Sequence, residues 1–167
     1  MKRLITNAFF SILLAVLVVG CGSAPPPLPS GLHISDLTAA DFAGNTVELE
    51  QYYGKPVILD FWATWCGPCI SQRAVLHQLK EKYGDKIEII AVTVDDKAST
   101  AEKYLEKSPS NHVELVATRE LPDAVGGFSG IPTLVVFGAD VIATEKFSGG
   151  RSLAFWEGKM DALLAKK

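Results

Sequence analysis

Cysteine, methionine and histidine are all scarce: three, two and three residues respectively in a chain of 167. Three cysteines are too few to staple a small fold by disulfides. Positive charge is also in deficit, with 16 Lys and Arg against 19 Asp and Glu and a formal net charge of −3. A chain without basic excess lacks the stripe that marks a nucleic-acid partner. The apolar stretch near the N-terminus falls short of the roughly 20 residues that span a membrane, and there is no internal repeat. What is present, 48% hydrophobic and 21% charged residues, fits an ordinary globular domain, and the length suits one such domain behind a processed N-terminus.

Lys2 and Arg3 give that N-terminus its positive start, and the segment from Ala8 to Val19 is apolar except for Ser11, the pattern of a secretory signal. Val18–Val19–Gly20–Cys21 then resembles the bacterial lipobox, in which a small residue precedes the cysteine that becomes a lipidated N-terminus. The expected organisation is a lipoprotein signal peptide at 1–20, a lipidated Cys21 with a Pro-rich linker at 21–32, and a domain at 33–167. Pro25–Pro26–Pro27 and Pro29 make the linker extended and semi-rigid, a spacer outside the fold. A plain secretory signal with an incidental cysteine is the competing reading. Gly22 in place of Asp after Cys21 does not mark inner-membrane retention, so the anchor is expected in either bacterial membrane, with the domain in the periplasm or outside the cell. Loss of Lys2 and Arg3 takes the balance from −3 to −5. An acylated Cys21 cannot form a disulfide, which leaves Cys66 and Cys69 only each other.

From His33 onward short strands and helices alternate, as in a mixed α/β domain. Residues 37–39 and 46–49 flank Gly44–Asn45 as an N-terminal hairpin. Buried strands are expected at 56–62 and 87–94, and a helix at 68–83 with apolar pairs Ile70/Ala74, Val75/Leu79 and Leu79/Tyr83, stopped by Gly84. Ser99 is expected to cap a helix ending near Lys107, before Ser108–Pro109. A strand at 112–117, a helical turn at 121–125, an antiparallel pair at 133–137 and 141–147, and a closing helix at 152–165 complete the pattern.

Cys66–Gly67–Pro68–Cys69 stands where a buried strand gives way to a helix. Two cysteines so spaced can close a small disulfide without much movement of the backbone. Cys66 falls at the helix N-terminus, where unpaired N–H groups and the helix dipole favour a thiolate, making it the attacking sulfur. Cys69, one turn further, is the resolving thiol. Pro68 suits the first turn because its missing N–H would be unpaired there anyway. The same Cys-x-x-Cys spacing also serves zinc, but a structural zinc site needs four ligands, and His33, His77 and His112 stand at no ligand spacing. No metal and no cofactor is expected.

Residues 57–69, reading VILDFWATWCGPC, and residues 127–133, reading GFSGIPT, together resemble the active-site strand, turn and second loop of thioredoxins. The likeness covers roughly residues 35–165. With the added hairpin and the leader, the chain is most similar to the TlpA-like extracytoplasmic thiol–disulfide oxidoreductases. The resemblance implies an α/β thioredoxin fold, a central mixed sheet flanked by helices. It implies that Pro132 is the cis-proline facing the cysteine pair and that the Ile131 backbone pairs with an extended substrate segment. It implies that Asp60 is a buried acid of raised pKa, able to take the Cys69 proton through water; a solvated strand-end carboxylate is the alternative. Trp65 would shape the docking surface with Gly67 and Pro68, while Trp62 simply packs. Where many relatives carry Glu and then Pro in the active-site helix, this chain has Gln72 and Ala74, and Asp140 stands where a hairpin glycine is common.

The activity so implied is disulfide reduction, since Gly-Pro between the cysteines resembles reducing thioredoxins more than strong oxidants. Partners would be protein disulfides, including those of apocytochrome c or other envelope proteins, and a membrane thiol carrier as electron donor, with the protein a monomer. The rival is a thioredoxin-fold copper metallochaperone using the same cysteines, which would be expected to have wider cysteine spacing and a distal histidine.

Overall fold

The computed structural model describes residues 26–166; the expected signal peptide and Cys21 lie outside them. Seven strands form one mixed sheet: β1 (Thr38–Ala40), β2 (Thr46–Glu48), β3 (Val57–Trp62), β4 (Glu88–Thr93), β5 (Val113–Val116), β6 (Thr133–Phe137) and β7 (Ala143–Ser148), in the order β2-β1-β5-β4-β3-β6-β7. The parallel pairs β3–β4 and β4–β5 are joined through α1 (Gly67–Tyr83) and α2 (Ala98–Lys107), while β6 and β7 add antiparallel beyond β3. A short α3 (Leu121–Ala124) precedes β6, and α4 (Leu153–Leu164) closes the domain.

β3, β4 and β6 are buried along their whole length, which is why they read as continuous apolar runs and not as alternating ones. Side chains still alternate between faces. Val57, Leu59 and Phe61 enter a core with Ile90, Val92, Leu37, Leu49 and Leu121, whereas Ile58 packs with Leu76, Leu79, Trp156 and Met160 of α1 and α4. Trp62 and Ala91, on the second face, meet Cys69 of α1 and Ala101 of α2. Two consecutive right-handed crossovers in one direction put both helices on the same side. The helices thus cover the face that carries Ile58, Asp60 and Trp62. Tyr83 fastens α1 to α4, its hydroxyl donating to Asp161 Oδ1 at 2.6 Å.

Several expectations shift. Ser99 does not cap α2: the helix starts at Ala98, Lys97 holds the extended N-cap conformation, and no side chain caps it. The buried stripe of α1 is Cys69, Gln72, Arg73, Leu76, Leu79 and Tyr83, and Ala74 is exposed. Cys69 sets that stripe, so Arg73, one turn on, is carried under the helix. β7 begins two residues later than expected, because Val141 adopts φ 60° while its side chain is buried in the core, and Ile142 bridges to His33. The Pro-rich segment is not wholly outside the fold either. Leu28 packs on the core, Leu32 is buried, and the Leu32 carbonyl accepts from Ala143 N–H at 2.8 Å. Among the described residues no helix is long and apolar enough to cross a membrane.

Candidate active site

Cys66 is the N-cap of α1, with extended backbone (φ −93°, ψ 97°), and its sulfur accepts the Cys69 N–H at 3.2 Å. The two cysteines form a disulfide with Cα atoms 5.2 Å apart. Their surroundings differ: Cys66 keeps 6% exposure at the rim, Cys69 has none. Gly67 and Pro68 form the exposed first turn, and Trp65 projects into solvent, 70% exposed. Once reduced, Cys66 would lie against amide groups that lack intrahelical partners, a setting that stabilises its thiolate.

The second wall is the loop before β6. The Ile131–Pro132 peptide bond is cis, and the Ile131 carbonyl oxygen lies 3.6 Å from Cys66 Sγ. Trp65, Cys66, Val94, Phe128, Gly130 and Ile131 enclose an open depression of about 400 Å³. This loop is tied from three sides. Lys146 Nζ donates to the Val125 and Gly127 carbonyls at 3.0 and 2.8 Å, the Thr133 hydroxyl donates to Gly130 O at 2.7 Å, and Gly149 N–H donates to Pro132 O at 2.8 Å. Burial lowers the Lys146 pKa.

Asp60 is fully buried, and neither carboxylate oxygen has a hydrogen-bond partner among the described residues. Burial raises its pKa to about 7; Arg73 opposes the rise and Glu114 adds to it. In register across the sheet it lies between Leu134 and Ala91, and Ala91 packs in one cluster with Cys69. The structure therefore brings Asp60, Cys66, Cys69, Trp65, Gly67, Pro68, Ile131 and Pro132 to one end of the sheet around the start of α1; the expected lipidation residue Cys21 lies outside the described residues.

Four further residues, which no sequence motif marks, hold this end together. Asp95 accepts from the Thr64 N–H, the Thr64 hydroxyl and the Thr93 hydroxyl at 3.0, 2.8 and 2.8 Å, fixing the turn before Cys66. Gln72, in the place where Glu is common, accepts the Arg151 N–H at 2.6 Å and so ties α1 to the loop before α4. Arg73 reaches Glu114 through both terminal nitrogens, at 2.6 and 3.3 Å, and its guanidinium carbon stacks 3.8 Å over the Trp62 ring. The signal for Arg73 is its i+4 spacing from Cys69; nothing local marks Glu114 or Asp95. His77 and His112, far apart in sequence, meet with ring centroids 6.2 Å apart. Even so, no cluster of three or more metal-ligating side chains occurs among the described residues.

The thioredoxin-like family model matches residues 54–142. Among curated proteins, the chain is 42% identical over 89 residues to thioredoxin Y of Oryza sativa, covering 53% of each chain. It is 27% identical over 136 residues to the thiol-disulfide oxidoreductase ResA of Bacillus cereus, covering 80% of this chain and 78% of the relative. The chain thus spans about half the length of the first relative and over three quarters of the second. Among solved structures, a protein of Chlorobium tepidum assigned as thiol:disulfide interchange protein DsbE superposes with TM-score 0.71 at 29% identity, covering 82% of this chain and 99% of that one. With a Cys-Gly-Pro-Cys helix start facing a cis-proline loop on this sheet, the chain belongs to the thioredoxin-like family.

Proposed function

We propose that this protein is a lipid-anchored reductase of protein disulfides on the extracytoplasmic side of a bacterial membrane. The observation that carries the chemistry is the asymmetry of the pair: Cys66 at the rim beside the Ile131 carbonyl, Cys69 sealed behind it. In the reduced protein the Cys66 thiolate attacks one sulfur of a substrate disulfide, forming a mixed disulfide and releasing the other sulfur as a thiolate that takes a proton from water. Cys69 then gives its proton, through water, to the Asp60 carboxylate and attacks Cys66 Sγ. The second substrate sulfur leaves as thiolate, and two electrons have passed from the dithiol to the substrate. Asp60 suits the role because an acid titrating near 7 can hold or release a proton at working pH. Trp65 and the 128–131 loop flank the sulfur, and the Ile131 backbone offers an edge for an extended segment.

The reducing direction rests on Gly67–Pro68 between the cysteines and on the family likeness. A membrane thiol carrier would return the Cys66–Cys69 disulfide to the dithiol, and the cysteines of apocytochrome c or other envelope proteins would be substrates. The leader and Cys21 supply the anchor, and the protein acts as a monomer. The test is reduction of insulin disulfides by the purified protein with dithiothreitol as donor. Cys66→Ser should abolish turnover, and Cys69→Ala should accumulate mixed disulfides with envelope proteins in cells. No acceleration over dithiothreitol alone would overturn the assignment.

A further inference from the structure

Asp60, Ala91 and Glu114 occupy one row across three adjacent strands, paired in register on the face covered by α1. Strands lie about 4.8 Å apart, so two carboxylates stand on either side of one methyl group, and α1 lays a buried cation over the same face. That cation, Arg73, is only 6% exposed. Glu114 and the Trp62 ring fix its position, and Trp62 is two residues along β3 from Asp60 on the same face. Ser110 also donates its hydroxyl to Glu114 Oε1.

We propose that the Arg73–Glu114 ion pair is a positioning device that sets the charge on Asp60, Arg73 favouring its ionised form and Glu114 opposing it. The pair does not touch the sulfurs; it acts through Asp60, and its consequence for turnover rests on the reading that Asp60 takes the Cys69 proton. The other groups facing Asp60 leave the control with these two. β4 offers Ala91 and Thr93 and β6 offers Leu134; α4 brings Trp156 and Met160 to this face, and from α1 come Cys69, Gln72 and Leu76 besides Arg73. Lys80, further along α1, is committed to Glu88 at 2.9 Å. His112, beside Glu114, is kept neutral by burial, its pKa lowered to about 3.

The sign of the effect distinguishes this device from simple packing. Removing Arg73 takes away the favourable charge, whereas neutralising Glu114 removes an unfavourable one and releases Arg73 toward Asp60. In the oxidised protein, with Asp carboxyl carbons labelled by ¹³C and Asp60 assigned through Asp60→Asn, Arg73→Met should move the Asp60 midpoint upward by about 1 pH unit or more. Glu114→Gln should move it downward, and Arg73→Lys should restore most of the wild-type value. If the single Arg73→Met variant does not fold because it strands a buried carboxylate, the double variant with Glu114→Gln replaces it, and its midpoint should lie above that of Glu114→Gln alone. Midpoints that move the same way in both single variants, that do not move, or a double variant no higher than Glu114→Gln would overturn the proposal. This titration involves no turnover, so it can fail while the reductase assignment stands. The inflection in the pH profile of insulin reduction should follow the same signs.

Discussion

The Asp95 carboxylate accepts both the backbone N–H and the hydroxyl of Thr64, at 3.0 and 2.8 Å, so the segment just past β4 grips the turn that carries Trp65 and Cys66. The same carboxylate also accepts from the Thr93 hydroxyl. A nearly buried acid with three donors is a local scaffold for the turn before the proposed nucleophile Cys66, and it joins neighbouring strands at the sheet end that carries the candidate site.

Replacing Asp95 by Ala should therefore lower stability by about 1–3 kcal/mol, the cost of leaving part-buried donors without acceptors. The urea midpoint should fall with an unchanged slope, and Asp95→Asn should lose less. An unaltered midpoint would mean that strand and helix hold the turn without this clamp.

Asp60 makes stability depend on pH in a defined direction. Its carboxyl titrates near the ordinary 3.8 in the unfolded chain and at about 7 in the fold, so the folded state binds this proton more tightly. That contribution is fully present below pH 3.8 and is lost as the pH rises through 7. The loss is on the order of 4 kcal/mol. With the disulfide intact, Asp60→Asn should gain about that much relative to wild type between pH 4 and pH 8, whatever its offset at acid pH. A parallel pair of stability curves would contradict the buried titration.

Trp65 is 70% exposed, and its indole beside Cys66 is the proposed docking contact for a protein substrate. Trp65→Ala should leave stability within about 0.5 kcal/mol of wild type. KM for a protein disulfide should rise about fivefold, equivalent to roughly 1 kcal/mol of apolar contact. The rate with oxidised glutathione should change little. Equal losses on both substrates would assign Trp65 to the chemistry and not to docking.

Gly126 and Gly127 offer a matched comparison. Both have left-handed backbones, φ 79° and 66°, but a Cβ at Gly126 would clash with the Pro27 carbonyl oxygen, whereas one at Gly127 meets nothing within 4 Å among the described residues. Each alanine should cost about 1 kcal/mol for its backbone. Gly126→Ala should in addition dislodge the segment at 26–31 and expose it to limited proteolysis. Equal cleavage in the two variants would argue against docking of that segment.

The strands and helices were readable along the chain because each is a local pattern: continuous apolar runs for β3, β4 and β6, a proline-started helix after the cysteines, a glycine stop at Gly84. Where the fold departs from the local pattern, a non-local force intervenes. Ser99 has the chemistry of a cap, but the helix starts at Ala98 and places it inside the first turn. Ala74 looked core-facing, yet the stripe that buries Cys69 turns Ala74 to solvent and carries Arg73 inward. A buried arginine is tolerable only beside Glu114 and Trp62, residues that arrive from other strands.

The sequence by itself determined the Cys66–Gly67–Pro68–Cys69 pair, the helix start beneath it, the suspect acid at Asp60 and the Ile131–Pro132 loop, because spacing and local chemistry are properties of neighbours along a chain. Only the tertiary structure decided what surrounds them: Asp95 on the turn, Gln72 on Arg151, and Arg73 and Glu114 sharing one face of the sheet with Asp60. Strand register and helix rotation bring these groups together, and both are settled by burial of the whole core, not by any short stretch of residues.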